Sequence, residues 1–178
     1  MRSCGTLARV TVSVGAWLLS GAALAAPTDT AVKAAFLPRF ARYVTWPPAA
    51  APRGTDPFVL CVIGGDPFGA LLDDAARSQS VDGRRIVVRR IDSAAAAENC
   101  QIAFIQGNKV QSPGQLLAAL GRRPVLTVTD ASGGSQRGII HFVIVGGRVR
   151  FFIDQSSATR HGLTVSSRLL ALAIGVKQ

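Results

Sequence analysis

The period of the apolar positions changes several times along the chain, and each change marks an element. From Asp29 to Thr45, the residues Val32, Phe36, Phe40 and the pair Tyr43–Val44 recur at three- and four-residue spacing, with Arg39 and Arg42 on the opposite side. This predicts an amphipathic helix with Asp29 as N-cap, stopped by Pro47–Pro48. Pro38 stands in its middle, at a cost of about 3 kcal/mol unless the helix starts there or bends. Next, Phe58–Ile63 carries no polar side chain and reads as a fully buried strand. Gly64–Gly65 turns the chain, and Asp66–Pro67 offers an N-cap and an N1 proline for a helix over Phe68–Arg77. Val81–Gly83 is a turn, and Arg85–Ile91 a strand with charged ends. Ser93–Glu98 allows one or two helical turns, and Ile102–Ile105 is another buried strand. A helix over Ser112–Leu120, opened by Pro113 and closed at Gly121, leads to a strand at Val125–Thr129.

The pattern then shifts. Ile139–Val145, Gly146–Gly147 and Arg148–Ile153 form strand, two-glycine turn and strand, a strong hairpin signal. Ser156–His161 reads as a short helix closed at Gly162, and Thr164–Val176 as a last amphipathic helix with Leu169, Leu170 and Ala173 inward. Strands alternating with helices point to one α/β sandwich. Its sheet is mostly parallel, with helices on both faces and the C-terminal hairpin as an antiparallel edge.

The first residues read differently. Arg2 and Arg9 are the only charges before Asp29, Val10–Ala23 is mostly apolar and small, and Ala23-Leu24-Ala25 has the form of an export cleavage site. Residues 1–25 are therefore expected to be a removed signal peptide, leaving a domain over 26–178 outside the cytoplasm. Without Arg2 and Arg9 the formal charge falls from +10 to +8. The basic residues are dispersed as pairs, Arg84–Arg85, Arg89–Arg90 and Arg122–Arg123, without interleaved exposed aromatics, which argues against nucleic acid. In an exported protein this charge fits anionic lipid head groups, an acidic partner or solubility. Two cysteines remain, Cys61 and Cys100. An even count in an oxidising compartment suggests a disulfide, and two buried free thiols are the alternative.

Chemistry is sparse. Gly64-Gly65-x-x-x-Gly69 matches neither the Walker loop nor the dinucleotide fingerprint and reads as a turn with a helix cap. Asp130, Ser132 and His141 are the residue types of a nucleophilic triad, but Ser132 lacks the G-x-S-x-G context. His141 and His161 have no accompanying metal-ligand spacing. No catalytic residue, metal or cofactor is expected. Arg148 and Arg150 alternate on one face of the hairpin strand. They are either a solvated face or anchors for an anion in a crevice near Gly64–Gly65, Gln106–Gly107 and Asp130–Ser132, at the carboxyl ends of the strands.

The wording of several segments is more specific than their periodicity. They are Lys33–Pro48 (KAAFLPRFARYVTWPP), Phe58–Gly64 with Asp66–Phe68, Cys100–Ile105, Val125–Val128, Phe142–Phe151 and Leu163–Ala173. In this order they resemble the YfiR family, periplasmic bacterial proteins that repress a membrane diguanylate cyclase. The resemblance implies a non-enzymatic periplasmic regulator. It would bind the periplasmic part of an inner-membrane diguanylate cyclase, lowering cyclic di-GMP and biofilm formation, with an outer-membrane lipoprotein and a second copy as further partners. It also implies that Cys61 and Cys100 form one of the family's disulfides. Tyr43, Trp46 and Phe151 are the candidate contact residues for a partner or a homodimer seam. A periplasmic small-molecule sensor built on Arg148 or Arg150 is the rival reading.

Overall fold

The computed structural model describes residues 26–178, so the expected signal peptide, residues 1–25, lies outside the described residues. The elements follow in the order α1 (Asp29–Phe40), β1 (Val44–Thr45), β2 (Phe58–Gly64), α2 (Ala70–Arg77), β3 (Ser80–Val81) and β4 (Arg84–Ile91). Then come β5 (Ile102–Gly107), α3 (Pro113–Leu120), β6 (Leu126–Asp130), β7 (Ile140–Val145), β8 (Arg148–Asp154), α4 (Gln155–Arg160), β9 (Thr164–Val165), α5 (Ser167–Leu170) and β10 (Gly175–Lys177). Eight strands form one sheet in the order β10-β8-β7-β6-β5-β2-β4-β3, and β1 pairs with β9 in a separate two-stranded ribbon. The neighbours from β4 to β7 are parallel, while β7–β8 and β3–β4 are antiparallel. The mostly parallel α/β sandwich is thus the observed fold. Its outermost strand beyond the hairpin is β10, which lies parallel to β8.

Strand periodicity divides the core in two. From β2 and β5, Phe58, Leu60, Val62, Ile102 and Phe104 face one side, where they pack with Leu37 and Phe40 of α1 and Leu72 of α2. Cys61, Ile63, Ala103 and Ile105 face the other, against Leu116 and Leu120 of α3, Ala94 of a 3₁₀ turn at Ala94–Ala96 and Ala97 that caps it. On this second face Cys61 and Cys100 are joined by a disulfide with Cα atoms 5.9 Å apart.

The first helix is shorter than its periodicity suggested. Thr28, not Asp29, is its N-cap, its hydroxyl oxygen accepting the Ala31 N–H at 3.2 Å. Pro38 has no N–H to give to the Ala34 carbonyl. The α-helix ends two residues later at Phe40, tightens into a 3₁₀ turn over Ala41–Tyr43 and enters β1. Pro38 is itself buried, so its ring fills core space near a helix end instead of kinking a long helix. The second helix begins at Ala70, because Asp66 Oδ1 accepts the N–H groups of Phe68 and Gly69 in a side-chain-closed turn. This turn sets Phe68 edge-on to Phe104, with ring centroids 4.7 Å apart.

The expected final helix over Thr164–Val176 does not form. Thr164 and Val165 pair with Thr45 and Val44 instead, and Ser166 caps a single helical turn. Gly175 then enters β10 opposite Phe152, whose ring lies 2.9 Å from where a Cβ would stand, so a larger residue there would have to displace the ring. Long-range pairing outweighs a helical pattern that is locally sound.

Candidate functional site

The C-terminal hairpin reaches beyond the sheet. β6 ends at Asp130 opposite Phe142, and β10 pairs only Phe152–Asp154 of β8. Residues 143–150 therefore extend as a two-stranded arm closed by Gly146 and Gly147, both at positive φ of 57° and 68°, as a tight hairpin turn requires. Cross-strand pairing puts Val143, Val145, Arg148 and Arg150 on one face of the arm and Ile144 and Val149 on the other. Ile144 is 45% and Val145 52% exposed. Leu172 and Ile174, on the segment entering β10, are exposed large apolar side chains as well, and the Ile174 N–H donates to the Phe151 carbonyl. No signal in the sequence separates Ile144 and Val145 from the buried Ile140 and Phe142 of the same run. They are exposed because the neighbouring strand stops first.

Asp130 ends β6 for a physical reason. Its Oδ1 accepts the Ser132 N–H at 2.7 Å, turning the chain into a 3₁₀ turn over Ala131–Gly133, and its Oδ2 lies 2.6 Å from Lys33 Nζ of α1. Burial pushes this carboxyl up, but the Lys33 ammonium and the Ser132 hydrogen bonds outweigh it and hold it below the usual carboxylate range. His141 lies on the opposite face of the sheet, buried, with Nδ1 2.8 Å from Thr129 Oγ1. Burial, reinforced by the Arg137 charge and opposed by Asp130, lowers its pKa. With Asp130 held by Lys33 and His141 behind the sheet, Asp130, Ser132 and His141 do not assemble as a triad. Among the described residues no group of three or more His, Cys, Asp or Glu could hold a metal ion.

The three candidate contact residues sit elsewhere than at an exposed seam. Trp46 is 8% exposed; its Nε1–H donates to the Gln101 carbonyl at 3.0 Å and its ring meets Phe58 edge-on. Phe151 is 3% exposed beneath Phe36 and Phe40 of α1. Tyr43 is half-buried against the main core. Trp46 and Phe151 are interior pins of the fold; the exposed large apolar side chains are Ile144 and Val145 on opposite faces of the arm, Leu172 and Ile174 before β10, and Leu71 and Val110 elsewhere.

Arg148 and Arg150 are exposed on the arm, as an alternating solvated face would be. They cannot reach the Gly64–Gly65 end of the expected crevice. Three strands lie between β2 and β8, a separation of about 19 Å at ordinary strand spacing. At that end the backbones of the two loops meet closely. The Gly65 N–H donates to the Gly107 carbonyl at 2.7 Å, and a Cβ on Gly64 would stand 2.4 Å from that oxygen.

No curated protein matches the chain in sequence. Among the described residues no helix is long and apolar enough to cross a membrane. A family match covers residues 30–174, from the first turn of α1 to the threshold of β10, and so takes in both cores, the disulfide and the projecting arm. The chain belongs to the YfiR/HmsC-like family.

Proposed function

We propose that the mature chain works in the periplasm as a non-enzymatic repressor of an inner-membrane diguanylate cyclase, binding the cyclase's periplasmic sensory part and so lowering cyclic di-GMP and biofilm formation. The observation that carries this reading is membership of the YfiR/HmsC-like family over residues 30–174. The arm supports it: a hairpin anchored at one end in the sheet exposes an apolar side chain on each face near its tip, Ile144 on one and Val145 on the other, which a partner gripping the tip would cover. A repressor must bind the inactive state of its target more tightly than the active one, since equal affinity shifts nothing. Taking a cyclase from almost fully on to almost fully off needs a difference of about 5.5 kcal/mol. An outer-membrane lipoprotein would relieve repression, and a second copy of the chain would be a further partner.

Gene deletion with measurement of cyclic di-GMP tests the reading. Levels should rise on deletion and return with the wild-type gene. They should stay high with a gene carrying Ile144→Asp and Val145→Asp, whose product should still accumulate in the periplasm. Unchanged cyclic di-GMP on deletion, with no cyclase recovered by periplasmic crosslinking, overturns it.

A further inference from the structure

A cleft of about 850 Å³ opens at the amino ends of β2, β5 and β6, on the face that carries the disulfide, where the partner reading assigns nothing. Arg53, Arg89 and Arg123 all border it, from three separate parts of the chain. Two of them are held in place. Arg89 donates to the Glu98 carbonyl at 3.1 Å and to the Ala96 carbonyl at 3.5 Å, and Arg123 donates to the Ala94 carbonyl at 2.9 Å. Both guanidinium groups are thus fixed on the Ala94–Glu98 turn by neutral oxygens, which orient the charge without cancelling it. Arg90, the next residue to Arg89, is by contrast saturated by Asp66 and Asp73. Asp56 and Glu98 also border the cleft, yet no ion pair joins either to these three arginines among the described residues.

An arginine has five N–H donors in a planar fork, and one or two carbonyls leave most of them free. Three guanidinium groups against the carboxylates of Asp56 and Glu98 leave the border of the cleft net positive, and a concavity focuses that potential. Val59, Pro124 and Val125 give the cleft an apolar part, and the volume lies in the range of small-molecule sites. We propose that this cleft binds a small organic anion bearing carboxylate or phosphate groups. Arg89 and Arg123 take the anionic groups in their fixed forks, Arg53 closes over them from the exposed loop, and the apolar part takes the ligand's body. The site is distinct from the arm and does not depend on the repressor reading. It is also a different place from the Arg148–Arg150 face of the arm.

The test is calorimetric titration of the mature full chain with citrate and with pyrophosphate, at constant ionic strength set with sodium chloride. Saturable binding of at least one probe is expected, weakened about tenfold or more in the Arg89→Gln/Arg123→Gln double variant. Arg53 is exposed on a loop, so Arg53→Gln keeps the fold and should weaken the same binding several-fold. Arg148→Gln/Arg150→Gln removes equal charge from the arm and should leave binding unchanged. Citrate binding alone assigns a carboxylate ligand and pyrophosphate binding alone a phosphate. The proposal is overturned if neither probe binds up to about 10 mM, well above the millimolar range of weak specific sites. It is overturned equally if Arg53→Gln binds as the wild type does, or if the arm variant loses as much affinity as the cleft variant, since the effect is then general charge.

Discussion

The Cys61–Cys100 bond should contribute about 4 kcal/mol to stability, and the reasoning is open to refutation at each step. The two residues are 39 apart in sequence, and closing a loop of about 40 residues removes roughly 13 cal/mol/K from the entropy of the unfolded chain. Near room temperature that is about 4 kcal/mol. Spread over the unfolding entropy of a domain of about 150 residues, it corresponds to a fall of about 12 °C in Tm when the bond is opened. Both sulfur atoms sit in the second core, so replacement by alanine adds a packing loss that reduction does not. Three samples separate the contributions: oxidised wild type, wild type held in reductant, and Cys61→Ala/Cys100→Ala. Urea unfolding should place the reduced protein about 4 kcal/mol below the oxidised one and the double variant lower still. The m-value should rise in both, because an uncrosslinked chain exposes more surface on unfolding. A reduced protein within about 1 kcal/mol of the oxidised one refutes the loop-entropy account. A loss of stability at constant m places the effect in the native state instead.

Lys33→Met should cost about 3 kcal/mol, since it leaves the Asp130 carboxylate buried with its ammonium partner gone. In the wild type the folded pKa of Asp130 lies below its unfolded value. Its stabilisation is therefore present above about pH 4 and lost as pH falls through the folded pKa, and in Lys33→Met acid unfolding should move to higher pH, read by circular dichroism. Gly64→Ala should cost more than about 3 kcal/mol in thermal melts, as it combines a φ of +90° with a Cβ set 2.4 Å from the Gly107 carbonyl; a loss below about 1 kcal/mol contradicts the close approach of β2 and β5. Ile144→Asp/Val145→Asp should change stability by less than about 1 kcal/mol, because both side chains are about half exposed, while abolishing crosslinking to the cyclase; a large stability loss would show the arm to be core and not docking surface.

What the sequence makes legible here follows the range of the forces involved. β2 and β5 are plain from Phe58–Ile63 and Ile102–Ile105, because a strand buried on both faces admits no polar residue whatever its neighbours do. The hairpin is plain because Gly146–Gly147 is local chemistry. The last helix misleads, since Leu169, Leu170 and Ala173 satisfy a helical stripe while the segment's fate is decided by Val44 pairing with Val165 and Phe152 receiving Gly175. The surfaces on which function rests are less legible still. Ile144 is exposed because β6 stops at Asp130, and Asp130 stops it by turning toward Ser132 and toward Lys33 on a helix far upstream. The arginines of the cleft show the same logic in reverse. Along the chain, Arg89 and Arg123 belong to dispersed pairs and look like solvating charge. A parallel sheet returns the amino end of each successive strand to the same edge. This return brings Arg53 and Arg123, in the loops that enter β2 and β6, to one cleft, and Arg89 joins them from β4, where it pairs with Cys61 of β2. No local motif could encode such a site, because its ligand chemistry is created by the crossovers and not by any one segment.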